Sequence, residues 1–256
     1  MADYDNRAFR DQSGALAGID AGLRSYMLRV YNYMLAGLAL TGITSYGAYL
    51  ATVTADPATA AARLPNGVLL TSFGVALFSG PLMWILLLGS LGLVMFLSFR
   101  ITKMSVIAAQ ISFLAYAALI GVTLASLFVV YTQTSIAQVF FITAATFGAM
   151  SLWGYTTRTD LTGFGSFLFM GLIGIIIASV VSFFVQSTML SWIISVAGVL
   201  IFTGLTAYDT QWIKNNYVEA DDAATAGKKA IFGALKLYLD FLNLFLMLLR
   251  LLGSRR

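Results

Sequence analysis

The feature that most constrains this chain is a succession of long apolar runs, most of them ended by a short stretch carrying charged or polar residues. A helix needs roughly 20 apolar residues to cross the hydrocarbon layer of a bilayer. On that scale spans are expected at about Val30–Ala51, Pro81–Phe99, Met104–Tyr131, Ile136–Thr156, Phe164–Val185, Met189–Gln211 and Ala230–Leu252. The stretch Val68–Phe99 is 32 residues, too long for one comfortable crossing. Ser79-Gly80-Pro81 supplies the break, because proline suits a helix start and not a helix middle. Val68–Phe78 then reads as a short interfacial segment. Backbone polar groups in lipid must be satisfied within the segment, and these runs lack the alternation of a barrel strand. The expected fold is an all-α integral membrane protein with seven transmembrane helices in a single domain, residues 26–253.

Composition leaves room for little else. The chain of 256 residues is 59% hydrophobic and 10% charged, against about 25% charged in soluble domains. It holds no cysteine and no histidine. Thiolate and imidazole metal sites, histidine-ligated haem and Ser-His or Cys-His catalysis therefore lack their parts. No enzyme and no cofactor is expected. The net charge of +4 sits in loops, where it sets topology and does not suggest a nucleic-acid partner. The evident partner is the lipid bilayer.

Residues 1–25 form a polar tail mixing Asp3, Asp5, Asp11 and Asp20 with Arg7, Arg10 and Arg24. It is neither a cleavable signal nor a transit peptide, so the first span serves as its own insertion signal. With this tail in the cytoplasm, the loops after spans two, four and six share its side. They carry Arg100 and Lys103, then Arg158, then Lys214, Lys228 and Lys229, while the opposite loops hold Arg63 alone. That is the positive-inside pattern. A seventh full crossing would place Arg250, Arg255 and Arg256 outside. Either the short tail escapes the rule, or the last segment is re-entrant.

Two acids break the apolar pattern. Asp209 ends the sixth span and Asp240 lies within the seventh. An ionised carboxylate inside a bilayer costs a few kcal/mol, so such residues usually mark a pathway or a sensor. Asp209 lies five residues before Lys214, and Asp240 four after Lys236. Each carboxylate is then about 6–8 Å inward from a lysine on the same side, and antiparallel neighbours would bring the two to similar depth. Lys236, Asp240 and Asn243 share one helical face, a polar stripe expected to point into the bundle. Tyr208 and Asn243 could complete a polar network with the acids. Two carboxyls in hydrogen-bond reach share one proton and titrate as a unit. A protonation step near neutral pH would make them a gate, held together with the proton and apart without it. The competing reading is that Asp209 ends its span among headgroups and Asp240 pairs only with Lys236. Arg100 is a further candidate, as a latch beside Asp209 or as a topology anchor.

Thr206-Ala-Tyr-Asp-Thr-Gln211 and Leu237-Tyr-Leu-Asp-Phe-Leu-Asn-Leu-Phe245 resemble motifs of the Bax inhibitor-1 family, in particular its bacterial YccA-like branch. Phe140–Met150 and Leu97-Ser-Phe-Arg100 are similar to that branch too, and the likeness covers about Val30 to Gly253. The resemblance implies seven helices with six surrounding a central C-terminal one. It also implies a proton-sensitive calcium leak in a bacterial inner membrane, gated by an aspartate pair that maps to Asp209 and Asp240, with Arg100 the match for an associated arginine. Calcium is named by this resemblance, since two aspartates supply too few of the 6–8 oxygens calcium takes. Bacterial relatives also resemble modulators of a membrane-bound AAA protease, so a non-conducting regulator is the alternative. The cell-death phenotypes behind the family name are not carried to this chain.

Two other classes fail on residues. An intramembrane aspartyl protease would share Tyr208-Asp209, but its second site needs Gly-x-Gly-Asp, and here Leu237-Tyr-Leu-Asp240 stands instead. A microbial rhodopsin would use Lys236, yet Met104–Tyr131 contains no carboxylate to serve as counter-ion.

Overall fold

The computed structural model describes the chain from Ala2 onward and its side chains from Ala21. The acids and arginines of the tail before Ala21 thus lie outside the described side chains. Eight α-helices follow one another: α1 Ala2–Thr52, α2 Ser72–Ser79, α3 Pro81–Arg100, α4 Val106–Val130, α5 Gln133–Thr156, α6 Thr162–Val185, α7 Thr188–Asn215 and α8 Ala223–Leu252. All but α2 hold a segment long and apolar enough to cross a membrane.

Local chemistry fixes the breaks. Pro81 opens α3 directly after Gly80. Ser105, Thr132, Ser187 and Asp222 cap α4, α5, α7 and α8, each side-chain oxygen accepting from a backbone N–H of the first turn, which satisfies donors a helix start leaves open. The expected interfacial segment Val68–Phe78 divides in two. Its first part joins a small antiparallel sheet of β1 Val53–Thr54, β2 Ala62–Arg63 and β3 Leu69–Leu70, ordered β1-β3-β2. Its second part is α2, capped by Thr71. Gly67, at φ +86°, makes the turn between β2 and β3, a conformation that favours glycine.

α8 is buried to a degree no other span approaches, at 67% of its most apolar window against 33% or less elsewhere. It packs on α7, α1, α5 and α4, while α3 leans on α4 and α6 on α7. Its core is aromatic. Tyr238 is fully buried between the edges of Phe113 and Tyr116, at centroid distances of 5.6 and 5.9 Å. Phe241 meets Phe140 and Phe147, both at 5.5 Å. The less buried positions Phe232, Lys236, Leu239, Asn243 and Leu246 recur every three or four residues and form a single stripe along α8.

The path of α8 decides the fate of the C-terminus. At one end, Lys228 Nζ donates to the carbonyl of Thr102, beside the turn between α3 and α4. At the other, Thr132 N donates to Ser254 O, Arg256 N to Val130 O, and Ser254 N to Ser135 Oγ. The tail is thus fastened to the turn between α4 and α5. At 30 residues and 1.5 Å per residue, α8 is a full crossing and not a re-entrant element.

Candidate functional site

Five consecutive residues of α7 each have a partner outside their own helix. Ala207 lies against Gly154 of α5, where a methyl group on the glycine would overlap the Ala207 carbonyl. The Tyr208 ring covers Gly165 of α6. Asp209 turns to α8. Thr210 Oγ1 is 2.9 Å from Ser151 Oγ on α5, which is in turn 2.5 Å from the Tyr31 hydroxyl on α1. Gln211 accepts from Leu161 N and donates to Thr159 O, tying down the loop between α5 and α6.

The acids meet across the interface of α7 and α8. Lys236 Nζ lies 2.7 Å from Asp209 Oδ1, and the same ammonium stands 5.0 Å from the centre of the Trp212 ring. Asp240, one turn further along α8 than Lys236, lies close enough to Asp209 for the two carboxyls to interact. Both acids are buried, with relative exposures of 6% and 5%. Asp240 Oδ2 is the one buried side-chain oxygen or nitrogen among the described residues that lacks a hydrogen-bond partner. An unmatched acceptor in such a place is costly. A proton held between the two carboxyls removes that cost and the repulsion of two bare anions together.

The other residues singled out from the sequence are placed as follows. Lys236 crosses to the neighbouring helix and does not pair with Asp240 on its own. Asn243 Nδ2 donates to Leu239 O, one turn back, and contributes no contact to the acids. Tyr208 faces α6, away from α8. Arg100 is exposed at the end of α3. The two ion pairs among the described residues are Lys236–Asp209 and Lys229–Asp221, so Arg100 reaches neither acid. Sequence reasoning missed the Trp212 platform and the hydroxyl chain Tyr31–Ser151–Thr210. Thr210 beside Asp209 was a signal, but its partner on α5 lies 59 residues away. Among the described residues no group of three or more acidic side chains gathers as a metal cage.

The fold and site define an integral membrane protein of seven spanning helices, with an acid–ammonium–acid cluster buried between the last two. The chain belongs to the Bax inhibitor-1 family: the family model described as "Inhibitor of apoptosis-promoting Bax1" matches residues 23–256. It is similar to "Inner membrane protein YbhL" of Escherichia coli K12, with 46% identity over 92% of this chain and 94% of that one. It is also similar to a Rickettsia prowazekii protein, RP147, with 44% identity over 93% and 92%. A Caulobacter vibrioides protein shares 42% identity over 93% and 92% of the two chains.

Proposed function

We propose that this protein is a pH-sensitive calcium leak channel of a bacterial inner membrane, its N-terminus cytoplasmic, closed by the Asp209–Asp240 carboxyl pair. The supporting observation is the buried Asp240 carboxyl set against Asp209 with one oxygen unmatched. With one proton in the pair and Lys236 on Asp209, the cluster carries no net charge and α7 and α8 hold together. Loss of the proton leaves two anions sharing one ammonium, an arrangement relieved by separation or by an incoming cation. A divalent ion entering there has to displace Lys236 from Asp209. Two carboxylates fall well short of a 6–8 oxygen cage, which suits an ion in transit and not one held. The inner-membrane placement rests on the relative YbhL, and the orientation on the loop charges of α3–α4, α5–α6 and α7–α8.

The test is a liposome assay with a calcium dye trapped inside and the external pH stepped. Flux should rise as the shared proton is lost. Asp240→Asn should hold flux low and flatten its pH dependence, and Asp209→Asn should alter both. Flux in both variants equal to wild type at every pH would reject the gate. Absence of flux in the wild-type protein would leave the non-conducting regulator as the better reading.

A further inference from the structure

α1 and α5 both pack on α8 but part from one another above it, leaving a lateral groove of about 1020 Å³ floored by Phe241. Its flanks open sideways, with Leu28, Leu35 and Leu152 exposed by 53%, 56% and 64%. We infer that this groove is a binding site for one anionic phospholipid, its acyl chain lying between α1 and α5 and its phosphate on Arg24.

Three observations carry the assignment. The groove has two unlike ends. One holds Arg24 and Tyr155, and behind Tyr155 stands a second cation, Lys214, whose Nζ donates to the Tyr155 carbonyl at 2.7 Å and lies 5.6 Å from its ring centre. The other end, near Gly42 and Phe140, has no charged residue, and among the described residues no carboxylate lines the groove. A cationic end joined to an apolar trough complements a phosphate joined to a hydrocarbon chain.

Length agrees. From Arg24 to Gly42 is 18 residues of helix, about 27 Å at 1.5 Å per residue and longer than the ~15 Å of one leaflet's hydrocarbon. One acyl chain therefore fits along the groove from the Arg24 end with length to spare.

The third observation concerns the glycines. A Cβ on Gly42 or Gly148 would meet nothing within 4 Å. These glycines are therefore not seats for a neighbouring helix, and they keep the trough open. The polar link across it is the Tyr31–Ser151 hydrogen bond, which satisfies both hydroxyls and leaves the walls apolar. A lipid there would rest on Phe241, the residue after Asp240.

The test is native mass spectrometry of the full chain purified in mild detergent and supplied with phosphatidylglycerol or phosphatidylcholine. One phosphatidylglycerol should be retained per chain in preference to phosphatidylcholine, and inorganic phosphate should not displace it. Arg24→Gln should weaken retention about tenfold, the loss of one charge-assisted hydrogen bond. Gly148→Leu should abolish retention by filling the trough, with its melting temperature near wild type as the folding check. Equal retention of both lipids, or retention unchanged in both variants, would overturn the site. So would a dimer of this chain that forms without lipid and is broken by Gly148→Leu.

Discussion

Lys236 of α8 reaches across to α7 and places its ammonium 2.7 Å from Asp209, and Asp240, one turn further along its own helix, is buried near the same carboxylate. The pair is buried on the acid side, while the lysine side chain is 29% exposed. Removing one partner of a buried pair strands the other. Lys236→Met should lower unfolding stability by about 2–3 kcal/mol, the partial exposure of the lysine keeping the loss below the full range. Asp209→Asn should cost a similar amount. The double variant should recover most of either loss, and a denaturant-unfolding cycle in detergent measures the coupling. Strict additivity would mean that the contact contributes no coupling.

Much of the architecture was legible because a bilayer permits few solutions. Seven apolar runs predict seven helices, and Ser79-Gly80-Pro81 marks the start of α3. Depth arithmetic on antiparallel neighbours puts Asp209 and Asp240 at similar levels, and both are buried, on helices that pack together. What could not be read was lateral direction. Lys236 and Asp240 stand at i and i+4, which suggests a pair within the helix, yet Lys236 lies on the half-open stripe of α8 and Asp240 on its buried side. The rotation of α8 against α7 decides between those outcomes, and that rotation is set by packing elsewhere. The β1-β3-β2 sheet escaped for a different reason. Its strands are two residues each, too short to show a period.

Gly154 and Gly174 make a matched pair of substitutions. A methyl group on Gly154 would meet the Ala207 carbonyl, backbone against backbone, whereas one on Gly174 would meet nothing within 4 Å. Gly154→Ala should destabilise by at least about 1–3 kcal/mol, because neither helix can yield locally. Gly174→Ala should be neutral, or stabilising by up to about 1 kcal/mol. Thermal unfolding of the two variants side by side is the measurement.

Tyr238 tests the aromatic core. Its hydroxyl lies 2.7 Å from Thr41 Oγ1, which itself donates to the Ala117 carbonyl at 2.9 Å. Tyr238→Phe should cost about 1 kcal/mol, since Thr41 keeps its acceptor and no donor is orphaned. Thr41→Val should cost more, because it leaves the buried tyrosine hydroxyl without its partner.

Asp222 gives a pH dependence outside the membrane. Hydrogen bonds from Thr225 hold its carboxyl below the ordinary value of 3.8. A depressed folded value means the cap is fully present above that ordinary value and is lost as pH falls through the lower folded one. Protection of the Thr225 amide, its exchange rate relative to an unstructured chain at the same pH, should therefore hold at neutral pH and fall only in acid. Asp222→Ala should lower that protection at every pH, and Asp222→Asn should keep it, with little response to acid.

The course of α8 can be checked by labelling, since the chain contains no cysteine to give background. Lys228→Cys and Arg255→Cys should react with an impermeant maleimide from opposite faces of the membrane, Arg255→Cys from outside in intact cells. Labelling of both from the same face would contradict the tail's attachment beside Thr132.

The near-fusion of α5 and α7 at Gly154 has a mechanical consequence. Ala207 abuts it, Thr210 bonds Ser151 one turn before it on α5, Lys214 bonds the carbonyl of Tyr155 beside it, and Gln211 grips the following loop. The seam is pinned over one turn of α5 and the loop that follows it, which resists sliding of α5 against α7. If the two acids part as proposed, the seam between α5 and α7 favours α8 as the helix that travels, up to the limit set by its tail at the turn between α4 and α5.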